Sequence, residues 1–218
     1  MNKIIYYDKL FPLLNNNSDI YKKIKIDNKS ISYISSPQYA EKITKIIRQY
    51  TKSDNIIITD CTAGCGGDTI SFLNTFKRVY SIEKNLIRYN YLLNNIKCYN
   101  LEKNSRIYCG DFLKIILNIY DHNVLYIDPP WGGCDYKQHK FIDIYINNIL
   151  LEDFLYGYIN NEPKKKYHKI PEFIILKLPI NYNLQKFYYK LKDFGKIFLH
   201  DLKKMLILVI ELDNKYVF

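Results

Sequence analysis

Ile56-Ile57-Ile58-Thr59-Asp60-Cys61-Thr62-Ala63-Gly64-Cys65-Gly66-Gly67-Asp68-Thr69 runs from a β-rich segment through a glycine-dense turn into a helix. The β-branched run before Asp60 suits a buried strand. The glycines after it let the backbone turn tightly and approach a ligand with no Cβ in the way. No Gly-Lys-Ser/Thr follows and the strict G-x-G-x-x-G spacing is absent, so this is not a phosphate-binding P-loop. A plain βα turn that happens to hold several glycines accounts for it equally well, and the loop alone assigns no ligand.

Working outward, Pro37 follows Ser36, and 38–50 carries Ala40, Ile43, Ile46 and Ile47 at helical spacing. Ser36 as N-cap with Pro37 at the first helical position starts a helix there. Downstream, the pattern alternates. Helices are predicted at 68–75, 85–97, 111–119, 142–156 and 183–191, and strands at 56–60, 78–83, 105–109, 124–128 and 173–178. In the helix at 85–97, Leu86, Tyr89, Leu93 and Ile96 share one face. Two further strands, 195–200 and 205–212, are joined by a tight polar turn. This order implies an α/β fold of Rossmann-like type: a mostly parallel seven-stranded sheet, helices on both faces, and an antiparallel hairpin strand at one edge. The polar break Asn15-Asn16-Asn17-Ser18 sets a short N-terminal segment, 1–36, apart from a domain at 37–218. No internal repeat and no Pro/Gly-rich linker interrupts that domain.

Of the 218 residues, 48% are hydrophobic and 25% charged, which excludes a disordered tail and a coiled coil. No apolar run is long enough to span a bilayer, and Met1-Asn2-Lys3-Ile4-Ile5-Tyr6-Tyr7-Asp8 lacks a signal-peptide core, so an intracellular place, cytoplasm or nucleus, is expected. Lys plus Arg is 32 against 22 Asp plus Glu, a net charge of +10. That balance favours a polyanionic partner such as nucleic acid, or an anionic membrane surface. Enrichment in Asn, Ile, Lys and Tyr, of the kind an AT-rich coding sequence produces, explains it as well, and charge alone does not choose. The five cysteines, Cys61, Cys65, Cys98, Cys109 and Cys134, are odd in number and form no Cys-x-x-Cys pair, which argues against a disulfide framework and against a structural metal site.

Ligands of such sheets bind beyond the carboxyl ends of the strands. Glu83 ends the second strand, about 20 residues past the glycine loop, where an acid accepts from ribose hydroxyls. An acid facing the dipole of the next helix is the simpler alternative. Gly110-Asp111-Phe112 ends the third strand. There an acid can accept from an adenine amine while the ring packs on the base, or it can serve only as a helix N-cap ahead of a core Phe. Asp128-Pro129-Pro130-Trp131-Gly132-Gly133-Cys134-Asp135-Tyr136 ends the fourth. Two prolines make a stiff loop with fixed carbonyl directions. Trp131, the chain's single Trp, stands among Pro and Gly with no apolar periodicity around it, unlike a core residue.

The glycine loop, the acidic second strand, Gly110-Asp111-Phe112 and Asp128-Pro129-Pro130-Trp131, in that order, resemble the class I S-adenosylmethionine-dependent methyltransferases. The Asp-Pro-Pro-aromatic tetrad resembles the branch that methylates exocyclic amino nitrogens. Pro129-Pro130-Trp131-Gly132-Gly133-x-Asp135-Tyr136 is similar to the trimethylguanosine synthases, the RNA cap guanine-N2 methyltransferases. Ile24-Lys25-Ile26-Asp27, Ser36-Pro37, Gly110-Asp111-Phe112-Leu113 and Leu178-Pro179 with Asn181 extend the resemblance over roughly 20–212. Three positions depart from that pattern: Cys134 stands where Pro is frequent, Asp128 where some members have Ser, and Ile180 where Arg is common.

The resemblance implies S-adenosylmethionine as cofactor, held by Asp60, Thr62, Ala63, Gly64 and Gly66 of the loop and by Glu83, Asp111, Phe112 and Asp128 at the strand ends. It implies Asp128, Pro129 and Trp131 as catalytic residues. Trp131 would stack on the 7-methylguanine, with Lys25, and in second place Tyr33, Lys137 and Asn181, near the cap phosphates or ribose. The segment 1–36 then contributes to the substrate side. The implied partner is 7-methylguanosine-capped RNA, with no membrane and no metal. A monomer is expected, acting in a cell's own cytoplasm or nucleus or, for a viral protein, in the host's. Products would be 2,7-dimethylguanosine and, with a second turnover, 2,2,7-trimethylguanosine. Two alternatives stay open: another exocyclic-amino methyltransferase, acting on DNA adenine or cytosine or on ribosomal guanine N2, and a non-catalytic cap-binding subunit with the same fold.

Overall fold

The computed structural model describes residues 7–13, 18–160 and 170–217; the asparagines of the polar break at 15–17 lie outside them. The chain forms two compact units, Met1–Ile115 and Ile116–Phe218.

In the first unit, α1 (Pro37–Tyr50) starts at Ser36 with Pro37 in its first turn, as the sequence implies, and buries Ala40, Ile43, Ile46 and Ile47. The elements β1 (Ile57–Asp60), α2 (Gly67–Leu73), β2 (Arg78–Glu83), α3 (Leu86–Cys98), β3 (Ser105–Cys109) and α4 (Phe112–Ile115) follow. Both strand pairings are parallel: Ile57 lies opposite Arg78 and Val79 opposite Ser105. Asn85 caps α3, its side-chain oxygen accepting from the amides of Ile87 and Arg88. The face α3 buries is not the expected one. Leu86 and Leu93 are 63% and 40% exposed, whereas Leu92, Asn95 and Ile96 are buried. A polar residue in the inward stripe disguised the pattern. The N-terminal segment is part of this unit's core, because Phe11, Ile20 and Ile24 pack in one cluster with Cys65, Ile70 and Tyr99.

In the second unit, the predicted helix 111–119 ends early and runs out through a 3₁₀ turn at Ile116–Asn118. The next elements are β4 (Val124–Ile127), β5 (Tyr145–Ile146), β6 (Ile149–Leu150), α5 (Leu151–Asn160), β7 (Phe173–Leu178), α6 (Leu184–Leu191), β8 (Gly195–Asp201) and β9 (Leu206–Leu212). A helix over 142–156 is therefore incorrect at its start: a two-residue hairpin, β5 to β6, precedes α5. Its loop, Asn147-Asn148, has both φ angles positive, at 48° and 65°. Asn tolerates that conformation, so this mirror-image turn forms without a glycine to advertise it.

β4 and β7 pair in parallel, β9 runs antiparallel to β7, and β8 returns antiparallel to β9. The seven strands are ordered β3-β2-β1 in the first unit and β4-β7-β9-β8 in the second. β9 is thus the one reversed strand, and the closing hairpin forms the sheet edge. Its turn is pinned by Asp201, whose carboxylate accepts the Lys203 amide at 2.6 Å. Among the described residues, no helix is long and apolar enough to cross a membrane, and no group of three or more His, Cys, Asp or Glu side chains is arranged to hold a metal ion.

Gly195, at the start of β8, has no space for a side chain, since a Cβ there would meet the Glu211 carbonyl oxygen at 2.0 Å. Gly195→Ala is expected to cost about 2 to 3 kcal/mol in urea unfolding, the scale of forced overpacking. A loss below about 0.5 kcal/mol would show that the edge hairpin shifts freely.

Candidate active site

In the first unit, the loop after β1 is closed by its own acid. Asp60 is buried, its Oδ2 accepting from the Thr69 hydroxyl at 2.6 Å and its Oδ1 from the Thr62 amide at 3.2 Å. The Ala63 amide donates to the Ile82 carbonyl at 3.1 Å, which ties the loop to β2. Gly64 has φ +55°, and no atom lies within 4 Å of where its Cβ would be. Glu83, at the end of β2, is nearly buried, with Oε2 accepting the Gly64 amide at 2.9 Å and Oε1 the Asn85 amide at 2.7 Å. One carboxylate thereby fixes both the glycine loop and the start of α3. The Gly110 amide donates to the Glu83 carbonyl at 3.0 Å, bringing the end of β3 alongside. There Asp111 Oδ1 accepts the Leu113 amide at 3.1 Å, Oδ2 lies 3.6 Å from the Lys84 ammonium, and Phe112 is buried. Asp111 thus caps the first turn of α4, and the Phe112 side chain is buried.

Two residues with no distinguishing local pattern hold the N-terminal segment to this unit. The Asn95 side chain, fully buried on α3, accepts the Lys25 amide at 2.8 Å and donates to the carbonyls of Lys25 and Cys65 at 2.8 and 2.9 Å. One amide group clips the Lys25 backbone to the glycine loop. Arg88 Nε donates to Asp27 Oδ2 at 2.9 Å, and its guanidinium lies 5.4 Å from the centroid of the Tyr33 ring. Asp27 also receives the Ser30 hydroxyl at 2.7 Å, and Ser30 Oγ lies 3.1 Å from the Tyr33 hydroxyl. Gly67 lets this segment press close, since a Cβ there would meet Ile34 at 2.6 Å. Lys25 keeps an exposed side chain and Tyr33 is half-exposed, so both present their outer atoms to solvent.

In the second unit, Asp128 follows β4 and Lys177 lies in β7, with Ile127 opposite Leu176. Lys177 is buried, and its ammonium donates to Asp128 Oδ2 at 2.6 Å. Trp131 is half-buried, outside the apolar core, as its surroundings in the sequence suggest. Its indole N–H donates to the Lys177 carbonyl at 3.3 Å, and its ring meets Tyr136 edge-to-face at 5.4 Å. Asn181 donates its side-chain amide to the carbonyls of Tyr136 and His139, at 2.7 and 2.8 Å, clamping the loop that follows Trp131. Pro129 is buried. Sequence reasoning missed Lys177, and the available signal was a single charge inside the fully buried strand Phe173–Leu178.

The first unit's residues fit a nucleoside cofactor. The loop with its unobstructed Gly64 and the acids Glu83 and Asp111 stand at the carboxyl ends of three adjacent parallel strands. A carboxylate is an acceptor for hydroxyl and amine donors.

Residues 55–216 match the family described as RNA cap guanine-N2 methyltransferase. The chain belongs to that family. An uncharacterised protein of Acanthamoeba polyphaga mimivirus is 32% identical over 87% of this chain and 79% of its own length. The trimethylguanosine synthase of Saccharomyces cerevisiae is 24% identical over 82% of this chain and 57% of its own length, so the chain spans little more than half of that relative. Among solved structures, a methyltransferase from Geobacter sulfurreducens superimposes with a TM-score of 0.59 at 16% identity, over 95% of each chain. A precorrin-6y C5,15-methyltransferase from Geobacter metallireducens gives 0.57 at 14%, over 86% of this chain and 92% of its own. These two share the fold. Family and fold together make this cap-methyltransferase relative an S-adenosylmethionine-dependent methyltransferase.

The Asp27 carboxyl yields a pH test. Burial alone would raise its pKa; the Ser30 hydroxyl, the Arg88 hydrogen bond, the Ser30 amide and the Arg88 charge outweigh that and bring it from 3.8 down to about 2. A depressed carboxylate stabilises the fold fully above its unfolded value and loses that contribution as the pH falls through the folded one. The stability difference between wild type and Asp27→Asn, measured by urea unfolding, is therefore expected to be constant near neutrality and to shrink between pH 3.8 and about 2. A difference that does not change with pH would contradict the ion pair.

Proposed function

We propose that this protein transfers a methyl group from S-adenosylmethionine to the exocyclic N2 of 7-methylguanosine in an RNA cap. The observation that carries the reading is the run from Asp128 to Tyr136, in which an acid, a stiff Pro-Pro turn and an edge-anchored, half-buried Trp131 stand together. Gly132, Gly133, Asp135 and Tyr136 add what a general amino-methyltransferase motif lacks. Bound S-adenosylmethionine supplies a methyl carbon made electrophilic by its sulfonium.

The chain's own residues supply positioning. The amine lone pair of guanine is delocalised into the ring, and acceptors for its hydrogens turn it toward reaction and stabilise the positive charge that develops. Asp128 and the Pro129 carbonyl take that role. Asp128 need not be a strong base, because the methylated amine is acidic and loses its proton readily. Holding the amine against the methyl carbon is the main source of rate. Glu83, the Gly64 turn and Asp111 hold the cofactor in this reading, and Asp60 keeps the loop shut around them.

Trp131 selects the base. N7 methylation makes guanine cationic, and Trp is the strongest aromatic platform for a cation. The N-terminal segment 1–36 serves the substrate side, with the exposed Lys25 side chain beside the cap phosphates. Capped RNA is the proposed partner, and the viral relative supports a protein that acts in a host cell.

Trp131→Ala is expected to lower turnover of an N7-methylated cap analogue by about 30-fold or more, the equivalent of roughly 2 kcal/mol of cation–π stacking. Cofactor affinity by calorimetry should stay within about twofold, since uniform binding elsewhere is untouched. Unchanged turnover would remove Trp131 from the substrate site.

A further inference from the structure

Every residue of β7 is buried, yet Lys177 carries a charge within it. Taking an ammonium out of water costs several kcal/mol, and a buried ion pair is often no more stabilising than apolar residues of the same volume. A Leu or Met would suit this strand at least as well, so stability is a weak reason for the lysine. Geometry is a stronger one. Lys177 touches both functional side chains of the motif. Its ammonium reaches Asp128 Oδ2 at 2.6 Å and lies 6.0 Å from the centroid of the Trp131 ring, while its main-chain carbonyl accepts the indole N–H at 3.3 Å. A carboxylate on a short side chain rotates, and its acceptor directions rotate with it. A charged donor on one oxygen fixes that plane, and a carboxylate's roughly four lone-pair sites are not exhausted by one ammonium.

We propose that Lys177 is a positioning residue for methyl transfer: its ammonium fixes the plane in which Asp128 meets the hydrogens of the target amine, and its carbonyl fixes the edge of the Trp131 ring on which the base stacks. Lys177 exchanges no proton and forms no bond to substrate. It acts through Asp128. The inference rests on the reading of Asp128 as the amine acceptor. It also accounts for the chain's departure at position 128, where an acid replaces a hydroxyl: the acid comes with a buried cation that holds it.

The test is a double-mutant cycle in the full chain, combining Lys177→Met with Asp128→Asn, read as kcat and KM on a 7-methylguanosine-capped dinucleotide. The Asp128 side chain is 21% exposed, so the carboxylate left by Lys177→Met can reach water and the variant is expected to fold. Lys177→Gln, which keeps a donor without the charge, is run beside it so that one poorly folding protein does not decide the result. Lys177→Met should lower kcat about 100-fold, the scale of a misplacement near 1 Å, with KM and cofactor affinity within about threefold. Lys177→Gln should fall between Lys177→Met and wild type. In the Asp128→Asn background, Lys177→Met should change kcat less than about twofold, because no carboxylate remains to orient. An equal loss in both backgrounds, or kcat within about twofold of wild type for Lys177→Met, overturns the inference and leaves the cap reading standing. Absence of wild-type turnover on the capped dinucleotide overturns the cap reading, and this inference with it.

Discussion

Two backbone amides, those of Gly64 and Asn85, donate to the single carboxylate of Glu83, and the glycine loop of the first unit is built on that arrangement. The bonds are charge-assisted, each worth about 1.5 to 3 kcal/mol. They join the glycine turn, 19 residues earlier in the chain, to the end of β2 and the start of α3. Asp60 completes the closure from the other side through Thr69 and Thr62. Structural support and ligand recognition are not competing roles for these acids. The amides set the direction of the remaining lone pairs, and those lone pairs are what a ribose or an amine would meet.

The same logic recurs with two buried polar groups. Asn95 is fully enclosed and bonds both the Lys25 backbone and the Cys65 carbonyl, which joins the N-terminal segment to the glycine loop through one side chain. Lys177 is enclosed and donates to the Asp128 carboxylate. A buried group of either kind costs free energy unless satisfied, and both have hydrogen-bond partners. Their partners are the Lys25 backbone, the Cys65 carbonyl and the acid that follows β4.

The strands were legible because each is a short β-branched run bounded by polar or glycine residues, and 78–83, 105–109 and 173–178 match their predicted limits. The acids at strand ends were legible for the same reason. The start of the helix at 142–156 failed because Asn147-Asn148 turns the chain through positive φ without glycine, leaving two short strands that look like helix. The face of α3 failed because its inward stripe contains Asn95, and no hydrophobic count admits an asparagine. Lys177, Arg88 and Asn95 share one reason for escaping notice: a polar side chain declares its role only through its partner, and each partner is tens of residues away in sequence.

The net charge of +10 reads differently with the structure in hand. Several lysines are occupied in local ion pairs, among them Lys186 with Asp143 and Lys190 with Asp153. Lys25 keeps an exposed side chain while Asn95 fixes its backbone. The central claim concerns the acceptor base, and mass spectrometry of products addresses it directly. Wild-type protein is incubated with S-adenosylmethionine and, separately, a 7-methylguanosine cap analogue, GTP and a DNA oligomer. The account predicts added methyl groups on the N7-methylated cap analogue alone. Methylation of GTP or DNA with none on the cap analogue would contradict it.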